Sequence, residues 1–294
     1  MSLKTALAPI AAPTVDAAIR AALAEDLGLV GDITTNATVA ADATAVAVIA
    51  TRKDGVVSGL QLAEAAFREL DVGAHFKIAH GDGALVKAGD VIATVSGNAR
   101  AILTAERVAL NFMGRMSGIA TLTRHYVDAV KGTNAKIADT RKTTPGLRAF
   151  EKYAVRCGGG QNHRTGLFDA VLIKDNHIVA AGSLSRAIEG ARAAAGHMVK
   201  IEVEVDTLDQ LREVLKHKVD AVLLDNMSNA QLKDAVALVA GRCITEASGG
   251  VNLETVRAIA ETGVDMISVG ALTHSAPVLD LGLDFAPTAP MHRA

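Results

Sequence analysis

The chain has 294 residues, of which 50% are apolar and 3% aromatic, and its formal net charge at pH 7 is −2. This near-neutral charge argues against a nucleic-acid-binding protein, which would carry a strong basic excess. The two cysteines, Cys157 and Cys243, belong to no paired motif and indicate neither a disulfide framework nor a zinc site. No run approaches the roughly 18 apolar residues of a membrane span, so we expect a soluble, cytoplasmic protein.

The first third of the chain alternates between helical and strand-like patterns. Apolar residues four apart predict a helix over Thr14–Leu27, and Gly28 marks its end. The other predicted elements are strands at 43–50 and 55–58, a helix at 60–70, and short strands with Gly-Asp turns at 80–97. We therefore predict an N-terminal α+β sandwich domain over residues 1–113.

Beyond residue 113, short strand-like runs recur, each followed by a polar residue or glycine and then an Ala-rich helical stretch. The runs are AKIAD, AVLIK, VKIEVEV, DAVLLD, CITEAS and DMISVG. Their polar ends fall at Lys142, Lys174, Glu204, Asp225, Ser248 and Gly270, and the last four intervals are 30, 21, 23 and 22 residues. One strand with its loop and helix needs about this length, so we predict an α/β fold with an incomplete (β/α) barrel of six or seven strands over residues 114–294. We expect the last residues to pack back on the N-terminal domain.

Cations concentrate in the middle of the chain. From Arg107 to Lys174 there are 12 Lys and Arg residues against 4 Asp and Glu. The members of the cluster are His163, Arg164, Lys174 and His177 in GGGQNHRTGLFDAVLIKDNH, with Arg141 and Lys142 in DTRKTTPGLR. Such a cluster repels itself unless an anion lies between its members, so the sequence predicts an anion site; a solvated basic surface is the alternative.

Carboxylates end two successive strands. Glu202 and Glu204 alternate with Val and Ile, which places both on one face of a strand. Two acids facing the helices would be costly to bury, so we expect them to point into the barrel mouth, toward a metal ion, hydroxyls or a lysine. A solvated edge strand is the alternative. Asp225 ends the next strand in the same way.

Glycine-rich loops follow the last two predicted strands. Ser248, Gly249 and Gly250 precede a helical stretch, and Gly270 follows DMISV. Glycine-rich turns before helices expose backbone N–H groups that bind phosphate, and many barrels build a phosphate site after their last two strands. The two loops therefore predict a phosphate site.

Together these motifs resemble one family. The chain carries the segments ALAEDLG, GDITT, AERVALNFMGRMSGIAT, DTRKTTPGLR, GGGQNHRTGLFDAVLIKDNH, EVEVD, LLDN, EASGGV and VGALTH, in this order. These segments and their order resemble those of the quinolinate phosphoribosyltransferases, also called carboxylating nicotinate-nucleotide pyrophosphorylases. The resemblance implies a pentosyltransferase that transfers the phosphoribosyl group of phosphoribosyl pyrophosphate (PRPP) to quinolinate. The products would be nicotinate mononucleotide, pyrophosphate and CO₂, in de novo NAD biosynthesis. It also implies Mg²⁺ and a homodimer in which the N-terminal domain covers the partner's barrel.

The resemblance also implies roles for residues at matching positions. Quinolinate would be held by Arg107 from the neighbouring subunit and by Arg141, His163, Arg164 and Lys174. PRPP would be bound by Thr140, Lys142, Glu204, Asp225, Ser248, Gly249, Gly250 and Gly270. Lys142, Glu204 and Asp225 would be the catalytic residues, and Glu204 and Asp225 would contact the metal region indirectly.

Three other functions compete with this one. A related phosphoribosyltransferase, such as the paralogue associated with molybdenum transport, is disfavoured by the full set of cations for two carboxylates. A Schiff-base aldolase is suggested by Lys174, which ends a predicted barrel strand. A phosphosugar-binding sensor without catalytic activity is the third.

Overall fold

The computed structural model describes residues 7–285, so the predicted domain limits at residues 1 and 294 lie outside the described range. The helices are α1 (Ala12–Leu27), α2 (Ile33–Thr38), α3 (Leu60–Leu70), α4 (Ala99–Ala129), α5 (Arg148–Cys157), α6 (Asp175–Ala181), α7 (Leu184–Ala194), α8 (Leu208–Val214), α9 (Asn229–Val239), α10 (Val256–Ala260) and α11 (Ala271–His274). The strands are β1 (Thr44–Thr51), β2 (Gly55–Val56), β3 (His75–Ile78), β4 (Leu85–Val86), β5 (Val91–Asn98), β6 (Lys136–Ala138), β7 (Val171–Ile173), β8 (Ile201–Val205), β9 (Ala221–Asp225), β10 (Ile244–Ser248), β11 (Met266–Ser268) and β12 (Leu281–Phe285). Across residues 7–285, no helix combines the length and the apolar character that crossing a membrane requires.

The described residues fall into two compact units. The first comprises the residues up to Leu122, residues 149–159 and those from Ala276 onward, and the second comprises residues 123–148 and 160–275. Helix α4 runs through residue 113, the predicted end of the N-terminal domain. That predicted limit therefore falls inside a helix rather than in a linker.

The first unit is built on antiparallel strands. Four of them follow the order β12-β1-β5-β3, and β2 pairs with β4. Strand β12 therefore completes a sheet that begins near the start of the chain. The predicted helices are confirmed: α1 buries Val15, Ile19 and Leu23, and it packs on α3, which buries Phe67.

The second unit contains a six-stranded parallel sheet with the order β6-β11-β10-β9-β8-β7. These are the six strands that the recurring runs predict, which confirms the α/β class. Ala138 also forms a parallel bridge with Gln161, so one further short segment extends the sheet beside β6. Between residues 7 and 285 no ladder joins β6 to β7, in keeping with the incomplete barrel.

The spacing of the strand ends follows from the helices between them. Two helices, α6 and α7, separate β7 from β8, where the interval between Lys174 and Glu204 is 30 residues. One helix separates each later pair of strands, where the intervals are 21, 23 and 22 residues. Because the strands are parallel, their carboxyl ends lie at one edge of the sheet, and the site residues collect there.

Candidate active site

Polar residues at the strand ends line a cavity of about 370 Å³ in the second unit. The loop after β6 contributes Thr140, Arg141 and Lys142. The segment between α5 and β7 contributes His163 and Arg164, and Lys174 directly follows β7. From β8, β9 and β10 the cavity receives Glu204, Asp225, Glu246 and Ser248. Strands β6 and β7 stand at opposite ends of the sheet order, yet both supply this one cavity. The sheet must therefore curve, as a barrel does.

A buried aspartate holds the cation-rich loop against the end of β6. Asp139 is fully buried, and its carboxylate accepts hydrogen bonds from the backbone N–H of His163 at 2.9 Å and from Nδ2 of Asn162 at 2.6 Å. The loop that carries His163 is thereby fixed beside the strand end that carries Arg141 and Lys142. The sequence prediction assigned no role to Asp139, the residue of DTRK that brings the two cationic segments together.

Two arginines, Arg141 and Arg164, lie close together in the cavity, and neither forms an ion pair with an acid among the described residues. Nε of Arg141 is buried and has no hydrogen-bond partner among residues 7–285. Burial, and after it repulsion from Arg141, lowers the pKa of Arg164 below its ordinary value. A buried donor without an acceptor and a pair of like charges are both stabilised by an anion. This part of the cavity therefore suits a carboxylate ligand, which arginine binds with charge-assisted hydrogen bonds.

The carboxylate that ends β8 meets a lysine. Lys174 and Glu204 form an ion pair, with 45% and 13% of their side chains exposed. Since β8 lies between β7 and β9, the alternative of a solvated edge strand is wrong. Asp225, half-buried at the end of β9, accepts a hydrogen bond from Nδ2 of Asn226 at 2.6 Å. Both acids keep carboxylate oxygens at the cavity.

Behind these residues, His163 joins two buried glutamates. Its Nδ1 accepts the backbone N–H of Arg164 at 2.8 Å, so the ring proton is on Nε2, which donates to Oε2 of Glu202 at 2.9 Å. Oε1 of Glu246 lies 3.6 Å from the same Nε2. A metal ion on Nε2 would force the proton onto Nδ1, against the Arg164 N–H. The cluster is therefore arranged to hold protons rather than an ion.

Glu246 is the carboxyl of this cluster that keeps a proton. Burial, and then the charge of Glu202, raises the pKa of Glu246 to about 7. Oε1 of each glutamate is buried without a hydrogen-bond partner among the described residues. The charge of His163 and a hydrogen bond from Ser268 oppose this rise, but burial and the charge of Glu202 outweigh them. The sequence prediction gave Glu246 no role, since a single acid inside a strand carries no pattern of its own.

The loop after β10 has the backbone that a phosphate-binding turn needs. Gly249 and Gly250 have φ angles of 91° and 60°, in the left-handed region. A Cβ on Gly249 would lie 2.1 Å from Oδ1 of Asn226. One part of the prediction is wrong, because α10 begins at Val256 and does not follow the glycines directly.

The loop after β6 is tied to the last βα loop. Oγ1 of Thr273 donates a hydrogen bond to the carbonyl of Lys142 at 2.7 Å. Gly270 is the N-cap residue of α11, and a Cβ there would lie 3.0 Å from Cδ of Lys142. Lys142 and Gly270, which the sequence prediction assigns to PRPP, are therefore neighbours.

Replacing Gly249 with alanine is expected to lower the free energy of unfolding by about 2–4 kcal/mol, because the new Cβ collides with Asn226 and strains the left-handed backbone. Gly250→Ala is the matched control: its backbone is also left-handed, but its Cβ would meet no heavy atom within 4 Å. That change should cost about 1–2 kcal/mol. Urea denaturation of both variants measures the difference, and equal losses would contradict the role given to the Asn226 contact.

Two predicted members of the site lie elsewhere. Arg107 is exposed on α4 in the first unit, and it has no hydrogen bond or ion pair among the described residues. His177 is exposed in α6, where its Nδ1 accepts the backbone N–H of Lys174 at 3.0 Å. His177 therefore caps a helix and does not line the cavity that contains Arg141 and Lys174, so its place in the anion-binding cluster stays a prediction.

Known proteins share both the sequence and the fold. The family model for the N-terminal domain of quinolinate phosphoribosyl transferase matches residues 32–117, and the model for the C-terminal domain matches residues 119–284. The nicotinate-nucleotide pyrophosphorylase (carboxylating) of Mycobacterium leprae is 48% identical over 271 residues, which cover 90% of this chain and 95% of the relative. The probable enzyme of that name from Bacillus subtilis is 45% identical over 260 residues, covering 88% and 89%.

A solved structure agrees with these matches. The nicotinate-nucleotide pyrophosphorylase from Francisella tularensis has a TM-score of 0.91 and 41% sequence identity, with 95% of this chain and 98% of that chain covered. Both domain models match, and the relatives cover almost the full length. The chain therefore belongs to the quinolinate phosphoribosyltransferase family.

Proposed function

We infer that this enzyme transfers the phosphoribosyl group of PRPP to the ring nitrogen of quinolinate with decarboxylation, giving nicotinate mononucleotide, pyrophosphate and CO₂ in de novo NAD biosynthesis. The observation that carries the assignment is the charge arrangement of one cavity. It combines the buried Nε of Arg141, which has no hydrogen-bond partner within residues 7–285 and lies beside Arg164, with the strand-end acids Glu204 and Asp225. Quinolinate is a dianion and PRPP a phosphorylated sugar, so the cations suit one substrate while the acids and glycine loops suit the other.

Quinolinate would bind through its two carboxylates. Arg141 and Arg164 would each donate charge-assisted hydrogen bonds, which contribute about 1.5–3 kcal/mol apiece. Lys174 would add its charge at the edge of the same cavity, where it is part-exposed beside Glu204. His163 differs from these residues, because its one N–H already donates to Glu202 and a carboxylate contact would need that bond to break.

PRPP would bind on the acidic and glycine-rich strand ends. Ser248 and the neighbouring glycines would hold the 5′-phosphate, and Lys142 would lie between the two substrates. As pyrophosphate leaves, positive charge develops on the ribose, which the carboxylates of Glu204 and Asp225 would stabilise.

The same two carboxylates fit Mg²⁺. Mg²⁺ takes oxygen ligands and is usually held by one or two carboxylates together with waters and substrate phosphates, and Glu204 and Asp225 supply such oxygens at one cavity. When bound, Mg²⁺ would supply charge neutralisation for the departing pyrophosphate.

Decarboxylation then follows from the chemistry of the alkylated ring. Bonding the ring nitrogen to ribose makes it cationic, so it stabilises the electron pair left on C2 when CO₂ departs. The chain has to orient the C2 carboxylate, and the arginines do this while they bind it.

The function is tested by an assay of the purified protein with PRPP, Mg²⁺ and either quinolinate or nicotinate. We expect CO₂ and nicotinate mononucleotide from quinolinate and no turnover of nicotinate; the reverse preference would overturn the proposal. The same preparation tests the aldolase alternative through borohydride trapping with a carbonyl substrate. Trapping is not expected, because Lys174 is paired with Glu204 and a Schiff base needs a free amine.

We further propose a homodimer in which the N-terminal domain, residues 1–113, completes the partner's active site through Arg107. Arg107 is exposed and lacks an ion-pair partner among residues 7–285, which leaves its guanidinium available. The cytoplasmic location stays a prediction of the sequence.

The shared site predicts complementation. Arg107→Ala and Glu204→Ala proteins should each be inactive, and mixing them should restore about a quarter of the wild-type activity per site, since random exchange gives half heterodimers with one intact site each. No recovery despite subunit exchange, followed by mass spectrometry, would contradict a role for Arg107 across the interface.

A further inference from the structure

Given the function proposed above, the reaction needs a proton donor inside the cavity. Loss of CO₂ from the alkylated quinolinate leaves an electron pair on C2, and a C–H bond must form there before nicotinate mononucleotide can leave. Neither PRPP nor quinolinate supplies that proton, so a residue of the chain or a water molecule must do so.

Most groups in the cavity are engaged or are weak acids. Lys174 is paired with Glu204, and His163 donates its one N–H to Glu202. Lys142 is exposed, and an ammonium ion is a much weaker acid than a carboxylic acid. A donor for C2 should instead be a protonated group whose hydrogen has no acceptor in the protein.

We propose that Glu246 is this donor and acts as the general acid that completes the decarboxylation. Glu246 is one of the residues that line the cavity, although it is only 4% exposed. Its Oε1 has no hydrogen-bond partner among the described residues and lies 3.6 Å from Nε2 of His163. A hydrogen on that oxygen therefore has no acceptor among residues 7–285. Because Oε1 is itself buried, the carboxyl group must turn toward the cavity to give this proton to a carbanion at the ligand.

The surroundings of Glu246 keep it protonated between turnovers. The groups that face it are Glu202 on β8, His163, Asp139 at the end of β6 and the hydroxyl of Ser268 on β11. Glu202 and Asp139 raise the pKa of Glu246, whereas the charge of His163 and the hydrogen bond from Ser268 lower it. Burial and the charge of Glu202 together raise the pKa of Glu246 to about 7, so the acid form is well populated at neutral pH.

The proton transfer balances without a further reagent. The C2 electron pair forms the new C–H bond as the O–H bond of Glu246 breaks, and its electrons stay on the carboxylate. The product is nicotinate mononucleotide, and the carboxylate regains a proton from water once the cavity opens to solvent. Rapid protonation also prevents CO₂ from recombining with C2. The donor therefore makes the decarboxylation step irreversible.

The test is a single-turnover experiment on Glu246→Gln. Acid quench and mass spectrometry follow pyrophosphate, the quinolinate mononucleotide adduct and nicotinate mononucleotide. Pyrophosphate should appear at near the wild-type rate, the adduct should accumulate, and nicotinate mononucleotide should form about 10²- to 10⁴-fold more slowly, the usual effect of removing a general acid. Glu246→Asp should recover part of that rate. In the wild type, the rate of the second step should fall as pH rises through about 7, because the donor must be protonated.

The outcomes separate this proposal from the proposed function. If the wild type releases no pyrophosphate from PRPP with quinolinate, the function fails. If the wild type turns over and Glu246→Gln forms nicotinate mononucleotide at the same rate, or slows both steps equally, the role of Glu246 fails while the function stands. Glu189→Gln, an exposed glutamate on α7 that does not line the cavity, is the control and should match the wild type.

Discussion

Replacing Arg141 with glutamine is expected to lower kcat/KM for quinolinate by about 10²- to 10⁴-fold, because two charge-assisted hydrogen bonds worth about 1.5–3 kcal/mol each are lost. The same change should raise the melting temperature of the ligand-free protein. Nε of Arg141 is buried without a partner in the described range, and its charge opposes that of Arg164. Activity and stability should therefore move in opposite directions, as expected where a charge is placed for a ligand.

Steady-state kinetics and calorimetry with and without quinolinate measure both effects. For the wild type, quinolinate at about 100 times its Kd should stabilise the fold by about 2.7 kcal/mol, and Arg141→Gln should lose most of that gain. Arg192→Gln removes an exposed cation on α7 away from the cavity and serves as the control. A variant that loses activity and melting temperature together would show that Arg141 supports the fold rather than the ligand.

Local pattern accounts for much of the fold. Helix α3 has the ends that its sequence predicts, and each strand of the parallel sheet lies within a predicted run. Strands β3 and β12 were not predicted. They are short, β12 buries none of its residues, and its partner β1 lies more than two hundred residues earlier in the chain. Such a strand forms because it pairs with a segment that is distant in the sequence, and no local periodicity of apolar residues indicates this pairing.

The residues of the candidate site, like the elements of the fold, could be predicted only in part. Strand ends could be predicted because parallel strands bring their carboxyl ends together, and Lys174, Glu204 and Asp225 all line one cavity. The contacts between the side chains of the site could not be predicted from the sequence. Glu202 shares a strand face with Glu204, yet it meets His163 and lies close to Glu246. That meeting spans β9, which stands between β8 and β10 in the sheet, so it depends on a strand order that the sequence does not state.

The cavity therefore contains carboxyl groups in two electrostatic settings. Glu204 has a lysine beside it, with which it forms an ion pair. Glu246 is buried beside another carboxylate, and both effects raise its pKa and favour its acid form. Carboxyl groups in different electrostatic settings take different roles in a reaction. Glu204 would stabilise positive charge on the ribose, and Glu246 would donate a proton.

Glu246→Gln is expected to change how the free energy of unfolding depends on pH. The folded-state pKa of Glu246, about 7, lies above its ordinary 4.5, so the folded protein binds this proton more tightly than the unfolded chain. The wild type should therefore lose stability as pH rises from about 4.5 to about 7, by on the order of 3 kcal/mol, and the glutamine variant should lack this loss. Denaturant unfolding of both proteins at pH 5 and pH 8 measures it, with Glu189→Gln as the exposed control. Parallel curves for the wild type and Glu246→Gln would mean that Glu246 is ionised in the folded protein, and the proton that we assign to C2 would have to come from elsewhere.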